Sequence, residues 1–236
     1  MRILALETSG SSGSVAALDA SQLVLEQSLA SGSRNAQSLA PGIESLLAEV
    51  GWSVGQVDLV AVTQGPGSFT GLRIGITTAK ALAYAVGAQV IGVNTLEAIA
   101  RQTPAARQTP AMQPALWTVL DAQRGELFAA RFVFGTLDRR SAPAGVQVID
   151  RHAWLAQLVA GELVSGPALQ RSVLGIRSDV TVVDRQFWQP KAETVGRLGH
   201  EQTLAGQHDD LFQLSPQYFR LAAAEEHWRR QHDPAG

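Results

Sequence analysis

The sequence predicts an α/β protein of two lobes, each a mixed sheet flanked by helices. Three observations carry that expectation. Over the first hundred residues, strand-like and helix-like stretches follow one another in the order β-β-β-α-β-α-β-α. A proline-rich run without apolar periodicity, QTPAARQTPAMQPA at 102–115, then interrupts the pattern. Strand and helix signals resume beyond it, starting with a hairpin. The lobes are therefore expected at 1–103 and 116–236, with a linker at 104–115. The C-terminal helix is free to pack back on the first lobe.

The elements follow in order. RILALET (2–8) is β-rich, SGSSG (9–13) has turn chemistry, and SVAALD (14–19) and QLVLEQSLA (22–30) continue a meander. A helix is expected from about Ser38 to Val50, with Ile43, Leu46, Leu47 and Val50 on one face and Pro41 in its first turn. VDLVAVTQ (57–64) reads as a strand of a sheet interior, followed by a helix to about Val86, the strand QVIGV (89–93) and a helix over Thr95–Arg101. This is the element order of actin-like and ribonuclease-H-like folds. In the second half, ALWTVLDAQRGELFAARFVF reads as two strands around AQRG. Short strands near 146–149, 163–165 and 180–183 alternate with helical stretches near 151–160 and 191–205. The tail over 222–236 reads as an alanine-rich helix start with a polar, frayed end.

Composition narrows the function. With 45% hydrophobic and 17% charged residues in 236, the chain is of globular type. No apolar run approaches the ~18 residues of a membrane span, and MRILALETSG enters a strand directly, so no cleavable signal is expected. Zero cysteines exclude disulfides, thiolate zinc sites and thiol catalysis, and fit a cytoplasmic protein. The net charge of −2 leaves the middle of the chain mildly basic, without the dense Lys/Arg footprint of a protein that grips nucleic acid unaided.

The stretch TQGPGSFTGLRIGITTAKALAYA (63–85) has the look of a phosphate-binding loop leading into a helix. It fails the spacing tests, although anion binding at the helix N-terminus through free amides and the dipole stays open. A P-loop counted from Gly65 puts Thr70 where the second glycine belongs, and one counted from Gly67 puts Leu72 there; neither is followed by lysine. The dinucleotide fingerprint fails because Gly71 comes one residue late. The helix instead carries a row of small residues, Gly71, Gly75, Ala79, Ala83 and Gly87, at i, i+4 spacing. Such a row admits another backbone closely. It fits packing on the protein's own sheet or on a partner helix, with Leu72 and Ile76 beside it.

Other patterns lead less far. The turn ETSGSSGS (7–14) places Glu7, Ser9, Ser11 and Ser12 where actin-like ATPases contact phosphates and orient hydrated magnesium, and it equally suits a plain tight turn. HEQTL (200–204) lacks the second histidine of a helical zinc site, and all five histidines fall in the C-terminal half at no metal-ligand spacing. Gly10-Ser11-Ser12-Gly13 has the wrong spacing for a nucleophile elbow. Asp58 stands at the start of its strand, away from where a two-metal nuclease needs its carboxylates.

Five segments, ILALETSGSSGSVAAL, TQGPGSFTGLRIGITTAKALA, VNTLEAIA, LDAQRGELFAARF and LSPQYFR, resemble in order the motifs of the bacterial TsaB (YeaZ) family, from Ile3 to Arg220. The resemblance implies an actin-like two-lobe fold of the acetate/sugar kinase–Hsp70–actin group. It also implies a noncatalytic role in making threonylcarbamoyladenosine next to the anticodon of tRNAs. The partner would be the related TsaD subunit, which carries nucleotide and metal, joined by the ATPase TsaE. Homodimers through the same helical surface are implied as well, and tRNA would be met through the complex. That surface, over 38–50 and 71–86, would include Leu39, Ile43, Leu46, Gly71, Leu72, Gly75, Ile76, Ala79 and Ala83. Aligned on VIGV, the H-x-x-x-H metal pair of the TsaD subunit falls at Thr95 and Ile99, so no metal and no cofactor is expected on this chain alone. Where the second lobe of an actin-like fold needs a small-residue phosphate loop, the chain reads Asp121-Ala122-Gln123-Arg124-Gly125.

The chain departs from the family pattern in two places. The first-strand acid is Glu7 instead of aspartate, and an H-S-E helix entry is replaced by Asn35-Ala36-Gln37. The C-terminal Pro-x-Tyr-x-Arg is present as Pro216, Tyr218 and Arg220. The alternative function is that of an actin-like ATPase or kinase acting alone through the 7–14 hairpin. A metalloprotease role fails on the missing histidine pair.

Overall fold

The structure, a computed structural model, describes residues 1–29, 35–104, 115–133, 145–172 and 175–220. The tail expected over 222–236 and all but the ends of the linker expected at 104–115 lie outside the described residues.

In the first sheet β1 (Arg2–Glu7), β2 (Ser14–Asp19) and β3 (Gln22–Ser28) form an antiparallel meander, as short turns between them require. β4 (Leu59–Gly65) and β5 (Gln89–Asn94) run parallel to β1, each reached through a helix: α1 (Asn35–Glu49) before β4 and α2 (Phe69–Val86) before β5. The order is β3-β2-β1-β4-β5. Side chains alternate between its faces. Leu4, Leu6, Val60 and Val62 pack with α1 and α2, while Ile3, Ala5, Leu59 and Ala61 pack under Ala192, Val195 and Leu198 of α6 (Ala192–Leu204). Burial on both faces explains why the middles of β1 and β4 are continuously apolar.

The second sheet repeats the first. β6 (Leu116–Gln123), β7 (Glu126–Phe132) and β8 (Gln147–Asp150) form a meander, with β9 (Leu163–Ser165) and β10 (Thr181–Val182) parallel to β6. Its order, β8-β7-β6-β9-β10, matches the first strand for strand, in direction as well as sequence. With α4 (Arg151–Gln157) and α5 (Leu169–Ser172), the element order β-β-β-α-β-α-β-α also recurs. This duplicated mixed sheet is the actin-like fold. The two lobes exchange their last helices. α3 (Thr95–Gln102) presents Leu96, Ile99 and Ala100 to the second sheet at Leu116, Leu120 and Phe128, whereas α6 covers the first. Residues 192–204 lie within the stretch 116–236 assigned to the second lobe, with a C-terminal helix left free to pack back on the first, and Ala192, Val195 and Leu198 join the first lobe's core. Among the described residues no helix is long and apolar enough to cross a membrane.

Two local expectations are corrected. α1 begins at Asn35, so Pro41 lies in its second turn and not its first, with its ring exposed to solvent. The row of small residues on α2 faces inward from Gly71 to Ala83, whereas Gly87 is the exposed left-handed C-cap of the helix. A Cβ on Gly71 would sit 2.0 Å from the Thr8 carbonyl oxygen, and one on Gly75 would sit 2.2 Å from Thr8 Oγ1. Leu72, Ile76, Ala79 and Ala83 are buried, as are Leu39, Ile43 and Leu46 of α1. All nine residues assigned above to a partner therefore line the lobe's own core. α2 crosses β1 and β4 so closely that only narrow side chains fit beneath it.

Replacing Gly71 by alanine separates the two readings. Helix propensity alone would add about 1 kcal/mol. The clash with the Thr8 carbonyl outweighs it, and Gly71→Ala is expected to lower the unfolding free energy by ~1–3 kcal/mol, read as an earlier urea midpoint. A partner-facing row would give a more stable monomer instead.

Candidate functional site

Where the lobes face each other, two hairpins and one loop enclose a cleft of about 810 Å³. The turn after β1 contributes Ser9 and Ser11, the loop before α2 contributes Pro66–Thr70, and the tip between β6 and β7 contributes Gln123 and Arg124. A strand-end turn, a glycine loop and a second hairpin converge here because each follows the C-terminal end of a central strand, where open α/β sheets place their crevice.

The glycine loop holds protein in this cleft. The Ser68 amide donates to Ser9 O at 2.7 Å, and Ser68 Oγ accepts from the Gly71 amide at 3.2 Å as the N-cap of α2. Thr8 Oγ1 donates to Gly71 O at 2.9 Å, and the Thr8 amide to Thr63 Oγ1 at 3.3 Å. A Cβ on Gly67 would lie 2.6 Å from Ser9 O, and one on Gly65 would lie 2.7 Å from Gln217 O. Gly65, Gly67, Gly71 and Gly75 each admit another part of the chain. The Ser68 and Gly71 amides are thus both engaged within the chain.

The residues expected of a nucleotide hairpin are separated by the fold. Ser9 and Ser11 line the cleft, Ser12 is exposed beside it, and Glu7 is fully buried away from it. Glu7 Oε1 accepts the Ser9 amide at 2.6 Å and the Ser9 hydroxyl as well. By strand alternation its side chain lies on the α6 face of the sheet, the face of Ile3 and Ala5. Burial pushes the Glu7 carboxyl up to about 7, against the downward pull of the Ser9 hydrogen bonds, and Glu26 adds to the rise. At the second hairpin Gln123, Arg124 and Gly125 take positive φ angles of 64°, 54° and 84°, and Asp121 Oδ1 accepts the Gln123 amide at 2.7 Å. Two long side chains thus stand at the cleft wall. Thr95 and Ile99 are buried, and among the described residues no group of three or more His, Asp or Glu side chains could hold a metal ion.

The outer face of α2 carries a feature that sequence reasoning missed. Phe69 and Tyr218 stack with centroids 4.9 Å apart. The Arg73 guanidinium lies 3.9 Å from the Phe69 centroid and donates through Nε to Tyr218 Oη at 2.8 Å. Farther along the helix Tyr84 meets Phe212 edge-on at 6.5 Å. These rings are open to solvent: Phe69 41%, Tyr218 45%, Tyr84 72% and Phe212 75% exposed. Exposed Thr77 and Ala81 make a low saddle between the pairs. Lys80 Nζ fixes the neighbouring segment by donating to Phe212 O and Leu214 O at 3.1 and 3.0 Å. The available signal was the second i, i+4 row, Phe69-Arg73-Thr77-Ala81, beside the row of small residues. Phe212 and Tyr218 arrive from far along the chain and complete a face that no local periodicity could show.

Residues 30–163 match the family model described as "TsaD: tRNA N6-adenosine threonylcarbamoyltransferase". The chain is 27% identical over 239 residues to the tRNA threonylcarbamoyladenosine biosynthesis protein TsaB of Bacillus subtilis, covering 97% of this chain and 98% of that protein. It is 33% identical over 132 residues to the protein of the same name from Escherichia coli, covering 56% and 55%. Among solved structures, YeaZ from Pseudomonas aeruginosa superposes with a TM-score of 0.74 at 26% identity, covering 92% of this chain and 99% of that one.

The raised carboxyl of Glu7 predicts a pH dependence. An unfolded glutamate titrates near 4.5 and the folded Glu7 near 7, so the folded chain keeps a proton that the unfolded chain releases. Stability therefore falls as pH rises from about 4.5 to 7 and levels off above. Glu97, lifted to about 7 chiefly by burial despite the lowering by Arg101, adds a slope of the same sign. Glu7→Gln is expected to flatten part of this slope and to be more stable than the unsubstituted chain at pH 8, read from urea midpoints at pH 5 and pH 8.

Proposed function

The chain belongs to the TsaB (YeaZ) family of tRNA threonylcarbamoyladenosine biosynthesis proteins, and on that premise we propose that it is a noncatalytic subunit which activates its TsaD partner by heterodimerisation. The observation that carries the noncatalytic half is the glycine loop, whose glycines admit Thr8, Ser9 and Gln217 where a phosphate would need open backbone. Nucleotide and metal chemistry then resides on the TsaD subunit and on the TsaE ATPase, and tRNA is met through the assembled complex in the cytoplasm.

The docking surface in this reading is the outward face of α2 with the segment beside it: Phe69, Arg73, Thr77 and Tyr84, with Phe212 and Tyr218. Exposed aromatic and arginine side chains around a low saddle suit an interface, because they bury large areas with few rotamers to freeze. The same face serves for a homodimer, in competition with the heterodimer. The residues under the helix act indirectly, by holding this face in place.

A lone ATPase or kinase is the alternative, and the roomy interlobe cleft is the feature that favours it. Calorimetry with ATP and magnesium on the isolated protein decides the matter; tight binding with turnover overturns the noncatalytic reading. For the docking face, Thr77→Trp and Tyr84→Glu are each expected to weaken binding to the TsaD subunit at least about tenfold, or 1.4 kcal/mol. Each should shift the unfolding free energy by less than about 0.5 kcal/mol, as exposed positions do. Unchanged affinity in both variants places the interface elsewhere.

A further inference from the structure

The family motif Pro216-Gln217-Tyr218-Phe219-Arg220 crosses the mouth of the cleft, and its contacts divide between the two lobes. On the first lobe, the Gln217 amide donates to Gln64 O at 2.9 Å, and Gln64 Nε2 donates to Ser215 O at 2.9 Å. Gly65 keeps no side chain where Gln217 O lies against it. On the second lobe, Arg220 Nη1 donates to Ala122 O at 2.7 Å and pairs with Glu126 Oε2 at 2.9 Å. The Phe219 ring meets Phe128 edge-on at 6.4 Å. Six residues thus fasten the end of β4 to the β6–β7 hairpin. Among the described residues the lobes also meet at α3, whose Leu96 and Ile99 are buried against the second sheet and whose Gln102 Nε2 donates to Phe187 O and Gln189 O at 2.7 and 2.6 Å.

The two ties differ in kind. The α3 contact is mainly apolar and buried, with the Gln102 amide bonded inside it, and acts as the fixed side. The strap is thin, polar and partly exposed, and belongs to the low-stability end of the structure. Between its two anchors stands Tyr218, which belongs to the exposed cluster with Phe69 and Arg73. One residue of the strap therefore faces whatever covers α2, while its neighbours on either side hold the lobes.

We propose that Ser215–Arg220 is a latch that sets the opening between the two lobes and couples it to occupancy of the α2 face. The coupling half rests on the partner reading given above; the latch half does not. A partner that buries Tyr218, Phe69 and Arg73 holds the strap down and narrows the range of lobe angles. By reciprocity, a chain whose strap is released from the second lobe binds that partner more weakly.

The cysteine-free sequence allows the test directly. Spin labels at Ser12→Cys and Ala156→Cys, one on each lobe, report the interlobe distance in the full chain. Arg220→Ala is expected to broaden the distance distribution towards longer values, with the circular dichroism spectrum unchanged. It should also weaken binding to the TsaD subunit about fivefold or more. Adding that subunit to the unsubstituted chain should narrow the distribution. If Arg220→Ala does not fold, Glu126→Gln, which removes only the charge opposite Arg220, is read in its place. An unchanged distribution in the folded variant overturns the latch. A broadened distribution with unchanged affinity overturns the coupling. If the unsubstituted chain binds no TsaD subunit, the partner reading and the coupling fall together, and the free-protein distances still decide the latch.

Discussion

Everything in the first lobe hangs on one backbone-to-backbone contact, that of Thr8 and Ser9 with the loop from Gly67 to Gly71. The Ser68 amide meets Ser9 O, Thr8 Oγ1 meets Gly71 O, and no Cβ fits between them. This contact pins the start of α2 to the end of β1. With its first turn so close to the sheet, the helix is drawn down along β4, and the next turns must be as narrow as the first. Gly75, Ala79 and Ala83 satisfy that demand. A helix seated this low presents its wide side chains, Phe69, Arg73 and Tyr84, to solvent. One steric constraint thus sets both the core and the exposed face.

The same contact alters what the cleft can do. The architecture keeps the crevice of an actin-like fold between two copies of one sheet, with their last helices exchanged. Several of the groups around it are engaged within the chain. Glu7 is enclosed under α6 with a carboxyl that burial holds near neutrality, and the first hairpin is tied to the glycine loop. The second hairpin offers Gln123 and Arg124 instead of small residues. The crevice measures about 810 Å³, and on the outer face of α2 aromatic rings and Arg73 stand in the open.

Much of this was legible in the sequence. The strand and helix order, the hairpin at AQRG and the failure of GPGSFTGLRIG to match any phosphate loop are local properties, set by periodicity and by the spacing of glycines. The five motif segments were enough to identify the family. The direction of the row of small residues was not legible. Gly71, Gly75, Ala79 and Ala83 pack equally well on a sheet or on a second helix, and only the position of Thr8, some sixty residues earlier in the chain, decides between them. The place of α6 was hidden for the same reason: its apolar side fits either lobe, and the exchange with α3 depends on both sheets being present.

What the sequence by itself determined is therefore the element order of the first lobe, most elements of the second, though not α5, and the mismatch of GPGSFTGLRIG with two phosphate-loop spacings. Each is carried by residues near one another in the chain. Only the tertiary structure decided which side of α2 looks outward, that Glu7 is shut away from the cleft, and that Tyr218 and Phe212 join Phe69 and Tyr84 in one face. Those outcomes follow from close approaches between distant segments. Side-chain width and backbone distance set such approaches, and neither leaves a periodic trace along the chain.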